Sequence, residues 1–162
     1  MAQDMFLKLD NIEGEAQDAE HKGEIEVLSW NWEMFQESNV ERGTGLGSGK
    51  ATFNPFYFTH YLDKASKNLI QHSNQGLHIP KGIFTARKAS GEKQLEYWKI
   101  EFEDIIITNV SLSGSDADSA RPVEAVHFSY NKFKVFYTGQ DEKGNKLPTL
   151  EWGYDIKKNQ QI

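Results

Sequence analysis

Apolar and polar residues alternate along residues 24–32, EIEVLSWNW, and the alternation changes phase within this run. Ile25 and Val27 occupy odd positions. The three apolar residues that follow occupy even positions: Leu28, Trp30 and Trp32. Because successive side chains of a strand point to opposite faces, the change of phase predicts a β-bulge, or a strand that passes its buried face from one sheet to another. Strands that turn corners in this way build barrels, and we expect Trp30 and Trp32 to lie in the core.

The same alternation predicts further strands along the chain. Together with the first run, they are expected over residues 4–10, 24–36, 81–89, 94–110, 122–138 and 149–157. The intervening segments ASGE, SGSDADSA and QDEKGNK have the composition of turns. Residues 39–50, NVERGTGLGSGK, are rich in glycine and lie between strand-like segments. This composition predicts a long extended loop rather than a linker between domains.

A single helix is predicted in the middle of the chain. Apolar residues recur there at i, i+4, i+7 and i+11: Phe58, Leu62, Ala65 and Leu69. This spacing places them on one helical face, with Thr59 available as N-cap and Gly76 just beyond the last turn. One helix among about seven strands is typical of a mainly β fold. We expect a single-domain β-barrel of two sheets with the helix packed outside.

Length and composition favour one folded domain over residues 1–162. Four Trp, six Tyr and ten Phe against only four Pro indicate a folded β-rich protein. The lack of cysteine excludes disulfides, thiolate metal sites and thiol nucleophiles. A net charge of −6 argues against nucleic-acid binding, because affinity for phosphate backbones comes largely from Lys and Arg. No stretch is apolar enough for membrane insertion and the start lacks a signal peptide, so we expect a cytoplasmic protein on synthesis.

Motif-like features fall short of an active or metal site. GTGLGSGKAT resembles a phosphate-binding loop, but Thr44 stands where its first glycine is required and Ala51 where a hydroxyl residue is required. The five histidines show no recognised ligand spacing, and Asp116 with Asp118 lacks the later residues of a calcium loop. No serine lies in a G-x-S-x-G motif. We therefore expect no catalytic residue, no metal site and no cofactor.

Residues 53–58, FNPFYF, gather four aromatic side chains beside the glycine-rich loop. This is more than one face of a short segment can bury in its own barrel. Because aromatic residues are enriched at subunit interfaces, the segment predicts a contact between subunits. The residues alone thus indicate a binding or assembly module.

The run EIEVLSWNW resembles the second-strand signature of the haemolysin-coregulated protein (Hcp) family, and the resemblance is colinear over nearly the whole chain. It is carried by DMFLKLDNIEGE, FTHYLDKAS, VEAVHFSY and WGYDIKKN, and by His21, Gly76, His78, Ile79, Arg87, Lys88, Ala89, Gln94, Tyr97, Gly114 and Ser115. Three places depart from the family pattern. Glu33 stands where the family usually has glycine, Lys67 where it often has proline, and Pro55 with Phe56 where it commonly has Asp-Leu.

This resemblance implies a homohexameric ring whose strands form both the subunit barrel and the wall of a wide central pore. Such rings stack into the inner tube of bacterial type VI secretion systems, inside a contractile sheath. Contraction expels the tube together with a spike protein of the valine-glycine-repeat family. We therefore expect a structural protein, not an enzyme, that is secreted without a cleaved signal peptide and carries or chaperones small effector proteins.

The resemblance also implies roles for particular residues. The pore-facing positions that influence effector binding in the family match Asn31 and Ser115. The long loop is expected to reach onto the adjacent subunit, with these candidates for the contact: Arg42, Leu46, Lys50, Phe53, Phe56 and Tyr57. From turn statistics alone, Ser115 as a plain turn residue and Asn31 as an ordinary exposed strand residue are equally good interpretations.

Two other classes of function stay open. One is a monomeric β-sandwich that binds a carbohydrate or another ligand. The other is a secreted hydrolase, since some members of the Hcp family carry a toxin domain at the C-terminus. The chain ends at Ile162, four residues after Lys158, which leaves no room for one, so we expect no such domain here.

Overall fold

The computed structural model describes residues 3–37, 50–90, 93–117 and 120–162. In these ranges the chain forms twelve strands and one helix. The strands are β1 Asp4–Leu9, β2 Ile25–Glu26, β3 Ser29–Asn31, β4 Met34–Phe35, β5 Thr52–Phe53, β6 Phe56–Tyr61, β7 His78–Ser90, β8 Lys93–Ser113, β9 Val123–Ser129, β10 Lys132–Tyr137, β11 Leu150–Asp155 and β12 Gln160–Gln161, and the helix is α1 Ala65–Gln75. The prediction of a mainly β protein with one helix is confirmed. Of the segment 39–50, predicted as a loop, only Lys50 lies within the described residues.

The longest strand, β8, belongs to two sheet layers. The first layer has the order β12-β11-β10-β8-β7-β1-β2, and the second continues from β8 through β9 and β6 to β3. β8 leaves β10 after Glu103 and pairs with β9 from Ile106 onwards. Between them lies Asp104, whose φ of 56° is in the left-handed region that Asp tolerates better than most residues. β8 therefore turns the corner between the layers at Asp104. Residues 122–138, predicted as one strand, form β9 and β10, which lie in different layers.

A second corner lies at Val27 and Leu28, where the sequence predicts a change of buried face. The Val27 N–H donates to Met5 O of β1 (2.9 Å), whereas the Leu28 N–H donates to Thr59 O of β6 (2.8 Å). The predicted transfer between sheets is thus confirmed. The single strand predicted over 24–36 is wrong, since β2 pairs with β1, β3 with β6 and β4 with β5. Within the described ranges, the hydrogen-bonded ladder does not close into a complete barrel.

The core lies between the inward faces of the two layers. Five phenylalanines at its centre have no exposed surface: Phe56, Phe58, Phe84, Phe102 and Phe128. The Trp30 ring packs on two of them, with centroids 6.0 Å from Phe56 and 5.0 Å from Phe84. Trp32 packs edge-on against Phe102 and Phe133. Both tryptophans are half-buried and pack against the core, on the face that the phase of the alternation predicts.

The helix begins later than the sequence predicts. Thr59, the predicted N-cap, and Phe58, predicted on the helix, lie instead in β6, and Leu62 precedes the helix. β6 pairs with β3 on one side and β9 on the other, so the strand gains two sets of inter-strand hydrogen bonds. This tertiary pairing overrides the helical spacing of the apolar residues.

The first turn of α1 is held by Asp63 and not by its N-cap residue Lys64, whose side chain makes no capping hydrogen bond. Oδ1 of Asp63 accepts a hydrogen bond from the Ala65 N–H (2.8 Å) at the start. Gly76, with a φ of 63°, ends the helix in the left-handed conformation that the sequence predicts. The helix packs against β8 and buries Ala65, Ser66 and Leu69. Among the described residues, no helix has the length and apolar character needed to cross a membrane.

Candidate functional site

Among the described residues, none of the strand positions on the outward face of the second layer is Asp, Glu, Lys or Arg. Its side chains form rows across β3, β6, β9 and β8. The rows are Asn31, Tyr57, His127 and Asn109; Ser29, Thr59, Ala125 and Ser111; and Tyr61, Val123 and Ser113. We call this set the uncharged face. Neighbouring hydroxyls on it pair with each other, as Ser29 Oγ and Thr59 Oγ1 do at 2.6 Å. Its strand residues thus carry no fixed charge, although the guanidinium of Arg121, which precedes β9, lies 4.0 Å from the centroid of the Tyr61 ring on this face.

The outward face of the first layer is charged instead. Lysines and carboxylates on adjacent strands form exposed ion pairs there: Lys81–Glu103 (3.9 Å), Lys132–Glu103 (3.8 Å) and Lys134–Glu151 (3.6 Å). Lys132 also lies 3.8 Å from the buried carboxylate of Asp155. Exposed pairs of this kind contribute little to stability, and they are typical of a surface in contact with bulk water. The two outward faces of one subunit therefore suit different surroundings.

A pocket of about 440 Å³ opens on the uncharged face. Its lining consists of Asn31, Glu33, Asn54, Pro55, Tyr57 and His127. The rings of Tyr57 and His127 lie 4.7 Å apart between centroids. The Asn54 backbone is fixed at both ends, because its N–H donates to Glu33 O (3.0 Å) and its carbonyl accepts from Tyr130 Oη (3.0 Å). The pocket therefore rests on a rigid base and offers amide, carboxylate and aromatic groups.

The two residues expected to contact effectors lie at opposite edges of the second layer. Asn31 is exposed on β3 and lines the pocket. Ser115 is exposed just after the end of β8, and it does not line the pocket. Sequence reasoning missed His127, which β9 brings beside Tyr57 from far along the chain.

The residues expected to contact an adjacent subunit have different surroundings. Arg42 and Leu46 lie outside the described residues, and Lys50 is exposed. Phe53 is half-buried against Phe133 and Tyr154, with centroids 5.4 and 5.6 Å away.

One member of the aromatic segment needs correction. Phe56 has no exposed surface, because it alternates inward with Phe58 along β6 and packs on Phe84, Phe102 and Phe128. Its ring therefore serves the core of its own subunit and is unavailable for a contact between subunits. Tyr57 points the other way, into the pocket beside Asn31.

An apolar patch, which sequence reasoning also missed, lies where β10 ends and β11 begins. Four residues there are exposed: Tyr137 (45 %), Leu147 (46 %), Leu150 (68 %) and Trp152 (44 %). Tyr137, Leu150 and Trp152 lie on the inward-facing side of the first layer, beyond the end of the core. Tyr137 pairs with Leu150 there, and Val135 pairs with Trp152. We call these four residues the apolar patch. Contiguous exposed apolar residues of this size mark interaction surfaces.

The inward face of the second layer holds a buried ionic pair. His60 Nε2 lies 2.7 Å from Glu124 Oε1, and both side chains are completely buried. His60 Nδ1 is 3.8 Å from Asp63 Oδ1, beyond hydrogen-bonding distance. Burial alone would lower the pKa of His60, but the carboxylates of Asp63 and Glu124 outweigh it and raise the pKa to about 9. The pair links β6, β9 and the start of α1.

A second charged cluster joins the segment after β1 to the first layer. Arg87, buried in β7, pairs with Asp18 (2.6 Å) and Asp4 (3.2 Å), and the hydrogen bond from Arg87 lowers the pKa of Asp18 to about 2. The Phe6 ring lies between the Arg87 guanidinium (4.9 Å) and the His21 ring (4.4 Å). This stack fixes the connection between β1 and β2 on the outward side of the sheet.

His21 belongs to the one group of described side chains that could hold a metal ion, together with Glu20 and Glu96. Both ring nitrogens of His21 are already hydrogen-bonded, to Glu24 and Glu96 at 2.8 Å each. A metal at Nε2 would have to replace the hydrogen bond between His21 and Glu96, so the present arrangement is a structural hydrogen-bonded network.

Comparison with known proteins gives matches over most of the chain. The model of the family described as "Type VI secretion system effector, Hcp" matches residues 6–137. The chain is 36% identical to Protein hcp1 of Pseudomonas aeruginosa, over 99% of each sequence. It resembles the crystal structure of Hcp1 from Salmonella typhimurium with a TM-score of 0.81 and 44% identity, over 100% of both chains. A solved structure described as a type six secretion system protein has a TM-score of 0.93 and 30% identity, over 99% of this chain and 100% of that one.

Proposed function

The chain belongs to the Hcp family of type VI secretion proteins, and from this membership we propose that it assembles into homohexameric rings that stack as the inner tube. Hcp proteins are tube proteins rather than enzymes. The observation that carries the proposal for this chain is the contrast between its two outward faces. A tube needs one surface toward a confined lumen and another toward its surroundings, and the uncharged and charged faces provide them.

We place the uncharged face on the lumen. A protein that passes through or waits in a narrow pore meets the wall on all sides, and strong charge there would bind or repel it according to its own charge. Ser, Thr and Asn side chains keep such a wall hydrated without binding or repelling proteins according to their charge. Asn31 lies on this face, and Ser115 extends it past the end of β8. Both remain our candidates for contact with effector proteins.

The apolar patch is our candidate for the contact between adjacent subunits. Its four residues are too exposed to contribute much to the core of one chain, whereas burial against a neighbour would stabilise a ring by about 25 cal/mol per Å² of apolar surface. A head-to-tail contact whose rotation closes gives a ring. The segment 39–58 would complete the contact, through Arg42, Leu46, Lys50 and Phe53.

The remaining partners follow from the proposed tube. They are a contractile sheath around it, a spike protein of the valine-glycine-repeat family, and small effector proteins inside. The chain would be made in the cytoplasm and reach the outside by expulsion of the tube, without cleavage of a signal peptide.

The mass of the assembly in solution tests the proposal. Six chains of 18.5 kDa give about 111 kDa, which light scattering or native mass spectrometry distinguishes from a monomer.

Trp152→Glu should break the ring while the subunit stays folded, because it places charge in the apolar patch. Ile70→Glu, at an equally exposed apolar position on α1, is the control and should leave the ring intact. Deleting residues 42–49 should weaken the ring without unfolding the subunit. A chain that stays monomeric at micromolar concentration would contradict the proposal and favour a monomeric β-sandwich.

A further inference from the structure

Glu33 places a carboxylate at the rim of the pocket, beside a face whose own strand residues carry no fixed charge. Its side chain is exposed, and none of the ion pairs among the described residues involves it. The Hcp signature usually has glycine at this position, so the carboxylate distinguishes this chain from the family pattern. If the uncharged face lines the pore, each ring carries six such carboxylates at one level of the lumen.

The main chain around Glu33 is held in place by packed neighbours. Trp32, the preceding residue, donates its indole N–H to Tyr130 Oη, and Tyr130 in turn donates to Asn54 O (3.0 Å). The Asn54 N–H donates to Glu33 O (3.0 Å). Burial raises the pKa of Tyr130 to about 12, so its hydroxyl stays a neutral donor at physiological pH. The carboxylate therefore extends from a fixed point of the main chain.

The groups around the pocket are complementary to a cation. Glu33 supplies negative charge, the Asn31 and Asn54 side chains supply carbonyl acceptors, and the Tyr57 ring forms an aromatic wall. No Lys or Arg lines the pocket among the described residues. The same face already holds a contact of this kind, because the Arg121 guanidinium lies 4.0 Å from the centroid of the Tyr61 ring. A guanidinium or ammonium gains both from the carboxylate and from the face of an aromatic ring.

We propose that this pocket binds a lysine or arginine side chain of a protein carried in the lumen, with Glu33 as the anion and Tyr57 as the aromatic platform. The proposal rests on the proposed function, since it takes the uncharged face to be the pore wall. Six pockets in one ring raise the effective concentration for a chain with several basic residues. The ring thereby prefers basic cargo over neutral or acidic cargo.

Binding of short fluorescein-labelled peptides, measured by fluorescence polarisation, tests the proposal. Three probes of equal length are compared, in which glycine alternates with arginine, glutamine or glutamate. The wild-type protein should bind the arginine peptide about 10-fold more tightly than the glutamine peptide, the size of effect expected for one favourable charge contact. Glu33→Gln should remove this preference, and Glu33→Asp should retain part of it. Tyr57→Leu should weaken binding of the arginine peptide without reversing the preference.

Glu101→Gln is the matched control. It also removes one negative charge per chain, but from the charged face, where Glu101 pairs with Lys99 at 3.4 Å. This variant should keep the wild-type preference. If Glu33→Gln and Glu101→Gln lose the preference for the arginine peptide to the same extent, the proposal is overturned. Such a result would show a general effect of net charge. A wild-type protein without preference for arginine, or a Glu33→Gln variant that keeps it, would overturn it as well.

The mass of the assembly is measured on the same samples, which separates this proposal from the proposed function. A monomer that binds the arginine peptide through Glu33 would contradict the ring and support the cation pocket. A ring of about 111 kDa whose binding does not depend on Glu33 would contradict the cation pocket and leave the ring standing.

Discussion

His60 and Glu124 form an ion pair of 2.7 Å in which neither side chain has any exposed surface. They are direct neighbours across β6 and β9, at the end of the core next to α1. A buried pair contributes to stability only while both partners are charged, since removing one charge leaves the other uncompensated. The protonation of His60 therefore connects the stability of the fold to pH.

The first prediction concerns this pH dependence. The pKa of His60 is about 9 in the folded protein, against 6.5 for an ordinary histidine. Since the folded state binds this proton more tightly, the contribution to stability is complete below about pH 6.5 and is lost as the pH rises through about 9. Its size is about 3 kcal/mol, at roughly 1.36 kcal/mol for each unit of pKa difference. Urea unfolding at pH 6 to 10 measures it.

Two variants serve as controls for that experiment. The double variant His60→Leu with Glu124→Leu removes both charges and should lose most of this dependence on pH. His78→Gln removes a histidine of the exposed pair with Asp104, and it should keep the wild-type dependence. Parallel curves for the wild type and the double variant would contradict a charged His60.

A second prediction concerns Gly14, which lies where two stretches of backbone meet. A Cβ atom at this position would stand 2.5 Å from Glu24 O, closer than real contacts allow. Gly14→Ala should therefore cost about 1–3 kcal/mol of unfolding free energy, as overpacking does elsewhere. Gly114→Ala is the control, because the nearest atom to its Cβ would be 3.9 Å away. Urea unfolding of both variants measures the difference, and equal stabilities would contradict the close approach.

A third prediction concerns Trp30, which packs on Phe56 and Phe84. Trp30→Ala should cost about 3 kcal/mol, near the lower end of the range for large aromatic residues in cores, because the ring is half-buried. Asn31→Ala, one residue further on the opposite face, should change the unfolding free energy by less than about 0.5 kcal/mol. A Trp30→Ala variant as stable as Asn31→Ala would mean that the strand register is one residue out.

The corner at Val27 and Leu28 could be predicted from sequence because alternation along a strand records directly which face is buried. The start of the helix could not be predicted from sequence. Phe58, Leu62, Ala65 and Leu69 fit a helical face, and only the pairing of β6 with β3 and β9 decides that Phe58 belongs to a strand. That pairing joins residues distant in the chain, which local spacing does not reveal.

The candidate site could be predicted only in part, because local sequence patterns indicate some of its residues and pairing between distant strands brings in the others. Asn31 could be predicted as a site residue because it lies in the run EIEVLSWNW, which resembles the second-strand signature of the Hcp family. The number of aromatic residues in 53–58 predicts Phe56 at a subunit contact, and this prediction is wrong because Phe56 has no exposed surface. The alternation of Phe56, Phe58 and His60 along β6 already indicated that Phe56 faces inward. His127 joins the pocket only through the register of β9 on β6, which the sequence does not display.

A fourth prediction assigns effector binding to the two edges of the uncharged face. Asn31→Gln and Ser115→Gln both enlarge an exposed polar side chain, so the mass of the ring and the melting temperature should change little. Asn31→Gln crowds the pocket that Asn31 lines, whereas Ser115 lies at the opposite edge, away from it. Recovery of a co-expressed effector with the purified ring should therefore fall in both variants, and further for Asn31→Gln. Ser73→Gln, on α1, is the control and should not change it. Intact rings that recover the effector equally in all three variants would place the cargo contacts elsewhere on the subunit.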